Sequence, residues 1–305
     1  MSQLVHTPSE ALPEASAPFR FLTWRQTWRL AVVVGCLLLA YAPVLAHLLR
    51  QWWDEPDYSH GFIVPVFALW VLWERRDELR SIAPRPHWAG LAVIVLSLVL
   101  LVLGTFGAEL FLQRISLPLL IAGLVLWFRG WPTLRASAFP LLVLLLAIPF
   151  PGVIYFQIVF PLQILASRLA TWFLHAIDLF PVLREGNVIV LSNTRLEVAE
   201  ACSGIRSLMS LFTLAVFYGY FMEKSLWKRV ALVLASIPIA IAANAVRIVG
   251  TGLCVQYWDP DKAMGFFHEF SGWVVFLVSL ACLYLVNCAM LLVPFKRVPF
   301  KRRPR

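Results

Sequence analysis

Residues 88 to 107, WAGLAVIVLSLVLLVLGTFG, carry no charged side chain. A stretch of about 20 apolar residues is the length a helix needs to cross a ~30 Å hydrocarbon core. A chain that repeats such stretches has few folds open to it. Inside lipid every backbone N–H and C=O must find its partner within the protein, and a helix meets that demand residue by residue. Composition agrees: 60% of the 305 residues are hydrophobic and only 14% charged, where a soluble domain carries about a quarter. The fold class expected is an all-α polytopic membrane protein.

Eight spans are read, roughly 30–49, 59–73, 88–107, 113–128, 137–150, 204–221, 230–250 and 270–293. The larger share of the 26 Lys and Arg then collects on one side: Arg20, Arg25, Arg29, the Arg75–Arg85 loop, Arg129, Arg135, Lys224, Lys228, Arg229 and the KRVPFKRRPR tail. The other side receives Arg50, Arg114, Arg168, Arg184, Arg195, Arg206, Arg247 and Lys262. Cytoplasmic loops are the ones enriched in Lys and Arg, so both termini are expected inside. The expected organisation is a disordered cytoplasmic tail over 1–19, a membrane domain over 20–295 and a basic cytoplasmic tail over 296–305. Residues 1 to 19 lack a charged n-region followed by an apolar core, so no cleavable signal peptide is expected. The net charge of +9 comes in short bursts between apolar runs rather than on one folded face, which argues against nucleic acid as a partner and for the lipid bilayer.

Residues 153–180 are apolar enough for a ninth span but hold Pro161, Arg168, His175 and Asp178. A ninth span would invert every later loop and put the basic tail outside. An interfacial or re-entrant helix on the outer face is expected instead, held by its aromatic residues. Beyond it, Val188, Val190, Leu196 and Val198 recur at strand-like spacing around Ser192-Asn193, a pair that favours turns. A short extracytoplasmic β-hairpin is expected to lead into the sixth span.

Four of the five cysteines sit in or beside long apolar runs, where a thiol passes for a small hydrophobic side chain. Cys202 does not: it stands in AEACSGIRS, at the entrance to the sixth span. There is no CxxC and no Cys/His spacing suited to zinc, so neither a metal nor a cofactor is expected, and the odd count leaves at least one thiol free. The topology sends other polar groups to the same side: Asn244 and Arg247 toward the outer end of span seven, His268 before span eight, and His60 in Tyr58-Ser59-His60-Gly61. A thiolate is a good acyl acceptor, and a helix N-terminus or a cation lowers the pKa of its thiol. A histidine in reach can take the thiol proton and return it to a leaving amine. An arginine's forked donors suit an oxyanion or a carboxylate.

Taken singly, each residue has a plainer reading. Cys202 could be packing, His268 an interfacial cap, Arg247 a snorkelling anchor, and His60 a residue ordering the loop between spans one and two. Glu197 and Glu200 read as solvated or salt-bridging carboxylates.

Together the motifs are specific. REGNVIVLSNTRLEVAEACSGIRSL, NAVRI and HEFSGWVVF, with YSHGF near residue 60 and IPFPG near residue 150, make the chain resemble the exosortase family of bacterial membrane transpeptidases over about residues 58–276. The resemblance implies a catalytic set of Cys202, Arg247 and His268, matched without departure; the residues around them add Asn244, Arg206, Glu200, His60, Ser203 and Gly204 as supporting candidates, with Glu200 given no catalytic role. It implies targets that are exported proteins ending in a Pro-Glu-Pro motif, a transmembrane helix and a basic tail (PEP-CTERM signals), cleaved through a thioacyl-enzyme. It also implies an inner-membrane setting and an association with exopolysaccharide and biofilm production. The hydrophilic extra domain of some relatives has no counterpart before the chain stops at KRRPR, which leaves the subfamily open. A transporter, a non-catalytic component of polysaccharide export and a lipid or sugar acyltransferase are the rival readings. The first would spread polar residues through the bilayer depth, and the second would tolerate loss of all three residues.

Overall fold

The computed structural model describes residues 24–178, 180–192, 195–198, 204–257 and 266–292. Contacts divide the chain between Pro43 and Val44. In the first unit the described part is the N-terminal portion of α1 (Trp24–Asp54); all later elements belong to the second. After α1 come a 3-10 segment (Pro56–Phe62), α2 (Ile63–Glu74), α3 (Arg76–Ser81), α4 (Ala89–Phe106), α5 (Leu110–Phe128), α6 (Trp131–Ala136), α7 (Ala138–Val143) and a second 3-10 segment (Leu144–Ala147). They are followed by α8 (Gly152–Ile177), β1 (Leu183–Glu185), β2 (Val188–Val190), β3 (Arg195–Glu197), α9 (Ile205–Met222), α10 (Leu226–Tyr257) and α11 (Phe266–Leu292).

Among the described residues, 7 helices are long and apolar enough to cross a membrane. The chain is a multi-pass, all-α membrane protein with one small sheet. Two of the expected spans are built differently. Residues 59–73 are a 3-10 segment running into the 12-residue α2, and residues 137–150 are the short α7 and its 3-10 extension.

The α4–α5 hairpin shows how such helices associate. Lipid tails are as apolar as leucine, so close packing at small residues replaces burial as the driving force. A Cβ at Gly123 would stand 2.9 Å from the Ile94 side chain, and one at Gly90 would run into the Trp127 backbone. Its tight turn is closed by Glu109, whose carboxylate accepts from the Leu112 N–H at 3.0 Å. A second bundle joins α9, α10 and α11 around Leu211, Ala215, Leu232, Ala240 and Leu283.

α8, expected as an interfacial or re-entrant helix, is by length and composition one of these seven helices. In its first turn the Tyr155 hydroxyl donates to Asp57 at 2.8 Å, and Asp57 also pairs with Arg206 in the first turn of α9. Near its last turn, Leu174 packs beside Gly252 of α10, 3.6 Å from where a Cβ would be. Gly252 lies two turns beyond Asn244, farther from the start of α10. α8 is thus tied by its first turn to the 3-10 segment and α9, and near its last turn to α10.

β1, β2 and β3 form an antiparallel sheet in sequence order. The β2–β3 hairpin was expected; β1 was not. Ile189 pairs with Leu196, and these two with Leu191 and Val198 are the buried ones, packed with Ala166, Ala170 and Leu174 of α8 and Ile248 and Val255 of α10. Val188 and Val190 are half-buried and face the other way. Side chains alternate in a strand, so pairing Val188 and Val190 with Leu196 and Val198 mixed two faces. α10 likewise runs past the expected end near residue 250 to Tyr257, because its last two turns pack on this layer.

Candidate functional site

The site is assembled at the end of the bundle where α9 begins. Gly204 caps α9 with φ +83°, a left-handed conformation that glycine adopts without strain. It is also pressed onto α10: a Cβ there would lie 2.9 Å from Asn244 Cγ and 3.0 Å from Asn244 Cβ and Nδ2. The buried Asn244 therefore supports the chain that enters α9, and glycine is required twice over, for the turn and for the close approach.

One turn further along the same face of α10 is Arg247, since residues three apart are neighbours on a helix. Its guanidinium lies against α11 at Gly272, where a Cβ would stand 3.5 Å from Nη2 and 3.6 Å from Cζ. Arg247 is half-buried and thus sits between α10 and α11. His268 lies in the first turn of α11, four residues before Gly272, rather than ahead of the helix as expected. Gly204–Asn244 and Arg247–Gly272 are thus two adjoining contacts that draw the starts of α9 and α11 to one stretch of α10. Glu200, Cys202 and Ser203 lie outside the described residues, as does the side chain of His268.

Arg206 and His60, also expected near the site, hold the 3-10 segment Pro56–Phe62 in place. Arg206 Nε donates to Asp57 Oδ1 at 2.9 Å, and Asp57 receives Tyr155 as well, so one carboxylate links the 3-10 segment, α8 and α9. His60 is buried and its Nε2 donates to the Leu146 carbonyl at 3.1 Å. Beside it, Trp52 Nε1 donates to the Ala147 carbonyl at 2.8 Å. These bonds satisfy carbonyls at the end of the second 3-10 segment that would otherwise be orphaned. The tyrosine of YSHGF, Tyr58, is also buried; burial and then the neighbouring Glu55 and Asp57 carboxylates push its hydroxyl up to about 12, so it stays protonated at neutral pH.

His60 is therefore structural in its described contacts. His60→Ala should lower stability by about 1–3 kcal/mol, the cost of leaving a buried carbonyl unsatisfied, and the thermal unfolding midpoint of the purified chain measures it. Asp57, Tyr155 and Gly272 were not singled out from the sequence. Asp57 had a signal as the residue preceding YSHGF, and Gly272 as the glycine within HEFSGWVVF.

Among the described residues no group of three or more His, Cys, Asp or Glu could hold a metal ion. The described cysteines, Cys36, Cys254, Cys282 and Cys288, are all free thiols.

Residues 52–285 match the family model described as Transmembrane exosortase (Exosortase_EpsH). That span includes every motif above, from Tyr58 to Phe276. No curated protein and no solved structure matches the chain. A family model that covers most of the sequence, over the same helices that gather Gly204, Asn244, Arg247 and Gly272, settles the family: the chain belongs to the transmembrane exosortases.

Proposed function

We propose that this exosortase is a cysteine transpeptidase or peptidase, with Cys202 as nucleophile, His268 as general acid and base, and Arg247 as the oxyanion donor. The observation that carries the reading is the pair of contacts Gly204–Asn244 and Arg247–Gly272. Two covalent links separate Cys202 from Gly204, a reach of at most about 7 Å, and His268 precedes Gly272 by about one helical turn. These limits support the proposal that the three participants meet along one stretch of α10.

The chemistry runs in two halves. Cys202 gives its proton to His268, and the thiolate attacks the scissile carbonyl carbon while Arg247 donates to the developing oxyanion. The tetrahedral intermediate collapses, the C–N bond breaks, and His268 returns the proton to the leaving amine. A thioester on Cys202 remains. An acceptor amine, or water, then attacks it with His268 removing its proton, and the Cys202 sulfur leaves and is reprotonated.

The targets proposed are exported proteins with a C-terminal Pro-Glu-Pro motif, a membrane helix and a basic tail, cleaved in the service of exopolysaccharide and biofilm production. Such a helix would hold the motif at the bilayer surface where α9 begins. The proposed setting is the bacterial inner membrane, with both termini cytoplasmic and the site on the periplasmic face; the excess of Lys and Arg in the loops at the opposite end supports it.

The direct test is to incubate the purified chain with a target bearing this signal, quench in acid and map the adducts by mass spectrometry. A target fragment in thioester linkage to Cys202, cleaved by hydroxylamine, is the expected result. Cleaved target without any adduct, at quench times short against turnover, would remove Cys202 from the reaction.

A further inference from the structure

Beside the proposed centre lies a cavity of about 650 Å³, bounded by the end of α1, the 3-10 segment Pro56–Phe62, the α4–α5 turn, the residues before α8, and Arg206 in the first turn of α9. Arg114 of α5 lines it. Arg114 is 5% exposed, makes no hydrogen bond or ion pair with any described residue, and its Nε is buried without a partner. The other lining charges are arranged differently. Asp57 is taken by Arg206 and Tyr155, Glu109 caps α5, and Glu55, exposed at the rim near Asp54, accepts from Gln51. The cavity thus combines carboxylates that are exposed or already engaged with a buried guanidinium that feels Glu55 and Glu109 only at longer range and has no hydrogen-bond partner at Nε.

A buried unpaired charge is among the most costly features a fold can keep. Glu55 and Glu109 of the same cavity offset it electrostatically, but neither is within ion-pair distance, and its Nε keeps no hydrogen-bond partner. We infer that Arg114 takes a carboxylate delivered from outside, and that the cavity is the subsite for the glutamate of the target's Pro-Glu-Pro motif. This rests on the transpeptidase reading above. Three observations favour a single carboxylate within a prolyl peptide. The walls carry Pro56, Tyr58, Phe111, Pro149, Phe150 and Tyr155, and aromatic-lined grooves are the surfaces that receive extended proline-bearing segments. One guanidinium forks onto one carboxylate in a planar pair, whereas a phosphate group, which can carry two charges, would meet stronger repulsion from the rim carboxylates. Arg206, finally, belongs both to the cavity wall and to the first turn of the helix that follows Cys202, which sets the subsite next to the scissile bond.

The test uses the full chain in phosphatidylcholine nanodiscs, carrying Cys202→Ala so that binding is read without turnover. Two capped fluorescent peptides are compared, one with Pro-Glu-Pro and one with Pro-Gln-Pro. The glutamate peptide should bind roughly 10- to 100-fold more tightly, the range for a charge-assisted bond, and adding Arg114→Gln should bring the two to within about twofold. Equal binding of both peptides to the Arg114 chain, or a preference that survives Arg114→Gln, overturns the assignment. Dodecyl phosphate binding that depends on Arg114 and exceeds the glutamate peptide overturns it in favour of a lipid headgroup. Arg114→Gln should leave the thermal midpoint unchanged or raised, because an unpaired buried charge is removed; a clearly lowered midpoint would make Arg114 structural and overturn the proposal. Processing of full targets, measured with Cys202 restored, separates this inference from the reading it rests on. Processing with the glutamate preference intact in Arg114→Gln sinks the subsite and keeps the transpeptidase. An Arg114-dependent binding preference with no processing keeps the subsite and sinks the transpeptidase.

Discussion

Cys202→Ala should leave full-length target in the membrane, with processing reduced by on the order of a thousandfold or more, because losing a nucleophile removes the covalent route altogether. Target processing is measured as the ratio of cleaved to uncleaved chain in membranes. The variant enzyme should accumulate to the wild-type level, since the turn into α9 rests on Gly204 and Asn244 rather than on the thiol. Cys202→Ser should recover little, as a serine hydroxyl is hardly ionised at neutral pH and needs a base positioned for it. Replacing Cys36, Cys254, Cys282 and Cys288 together with alanine should keep most of the activity. These four lie on helices α1, α10 and α11, where a thiol serves as a small apolar side chain. The resulting chain has one thiol, and its alkylation should abolish processing. If Cys202→Ala processes normally, the cysteine is packing and the reaction, if any, belongs to other residues.

The parts of this fold that were legible in the sequence are those governed by a count along the chain. A charge-free run of about 20 residues is sufficient for α4, and α5 and α9 follow nearly the expected limits. A 3.6-residue or 2-residue count, however, does not report which backbone hydrogen bonds close. The residues around YSHGF and before IPFPG are as apolar as a span yet form 3-10 segments beside short helices. They do so because Trp52 and His60 bond across to the carbonyls of Leu146 and Ala147, a long-range pairing with no periodicity. The last turns of α10 hold Thr251, Gln256 and Tyr257 and read as a helix ending. They continue because Gly252 lets α8 and β3 approach: a Cβ there would touch Leu174 and Leu196 at 3.6 and 3.9 Å. β1 is a further instance, since its Leu183 is exposed and its neighbours are charged. Its strand exists by backbone pairing to β2, which no apolar pattern announces.

The candidate site divides the same way. Gly204, Asn244 and Arg247 stood out because polar or flexible residues are rare inside such a chain. That they form one stretch with α11 depends on Gly272, the glycine of HEFSGWVVF, whose packing against Arg247 no local pattern announces. The cavity holding Arg114 is contributed by segments from the end of α1 to the start of α9, so it exists only in the assembled fold.

Gly272 also supplies the sharpest test of Arg247. Arg247→Ala should lower kcat by roughly 10²- to 10³-fold with a smaller change in KM, the effect of removing a donor to a developing oxyanion. Arg247→Lys should recover little, because an ammonium cannot reproduce a forked pair of donors. A merely snorkelling arginine would behave otherwise, with lysine fully competent. The size series at Gly272 then varies the position of the guanidinium without touching it. A Cβ at Gly272 meets Arg247 Nη2 at 3.5 Å, an ordinary contact, so Gly272→Ala should fall within a few-fold of wild type. Gly272→Leu extends into the space the guanidinium occupies and should displace it, lowering kcat toward the Arg247→Ala value. The double variant Gly272→Leu/Arg247→Ala should be no slower than Arg247→Ala alone, since two changes that act through one group do not add. A double variant much slower than either single change would mean that Gly272 acts through the packing of α10 on α11 and that Arg247 has been given a role it does not have.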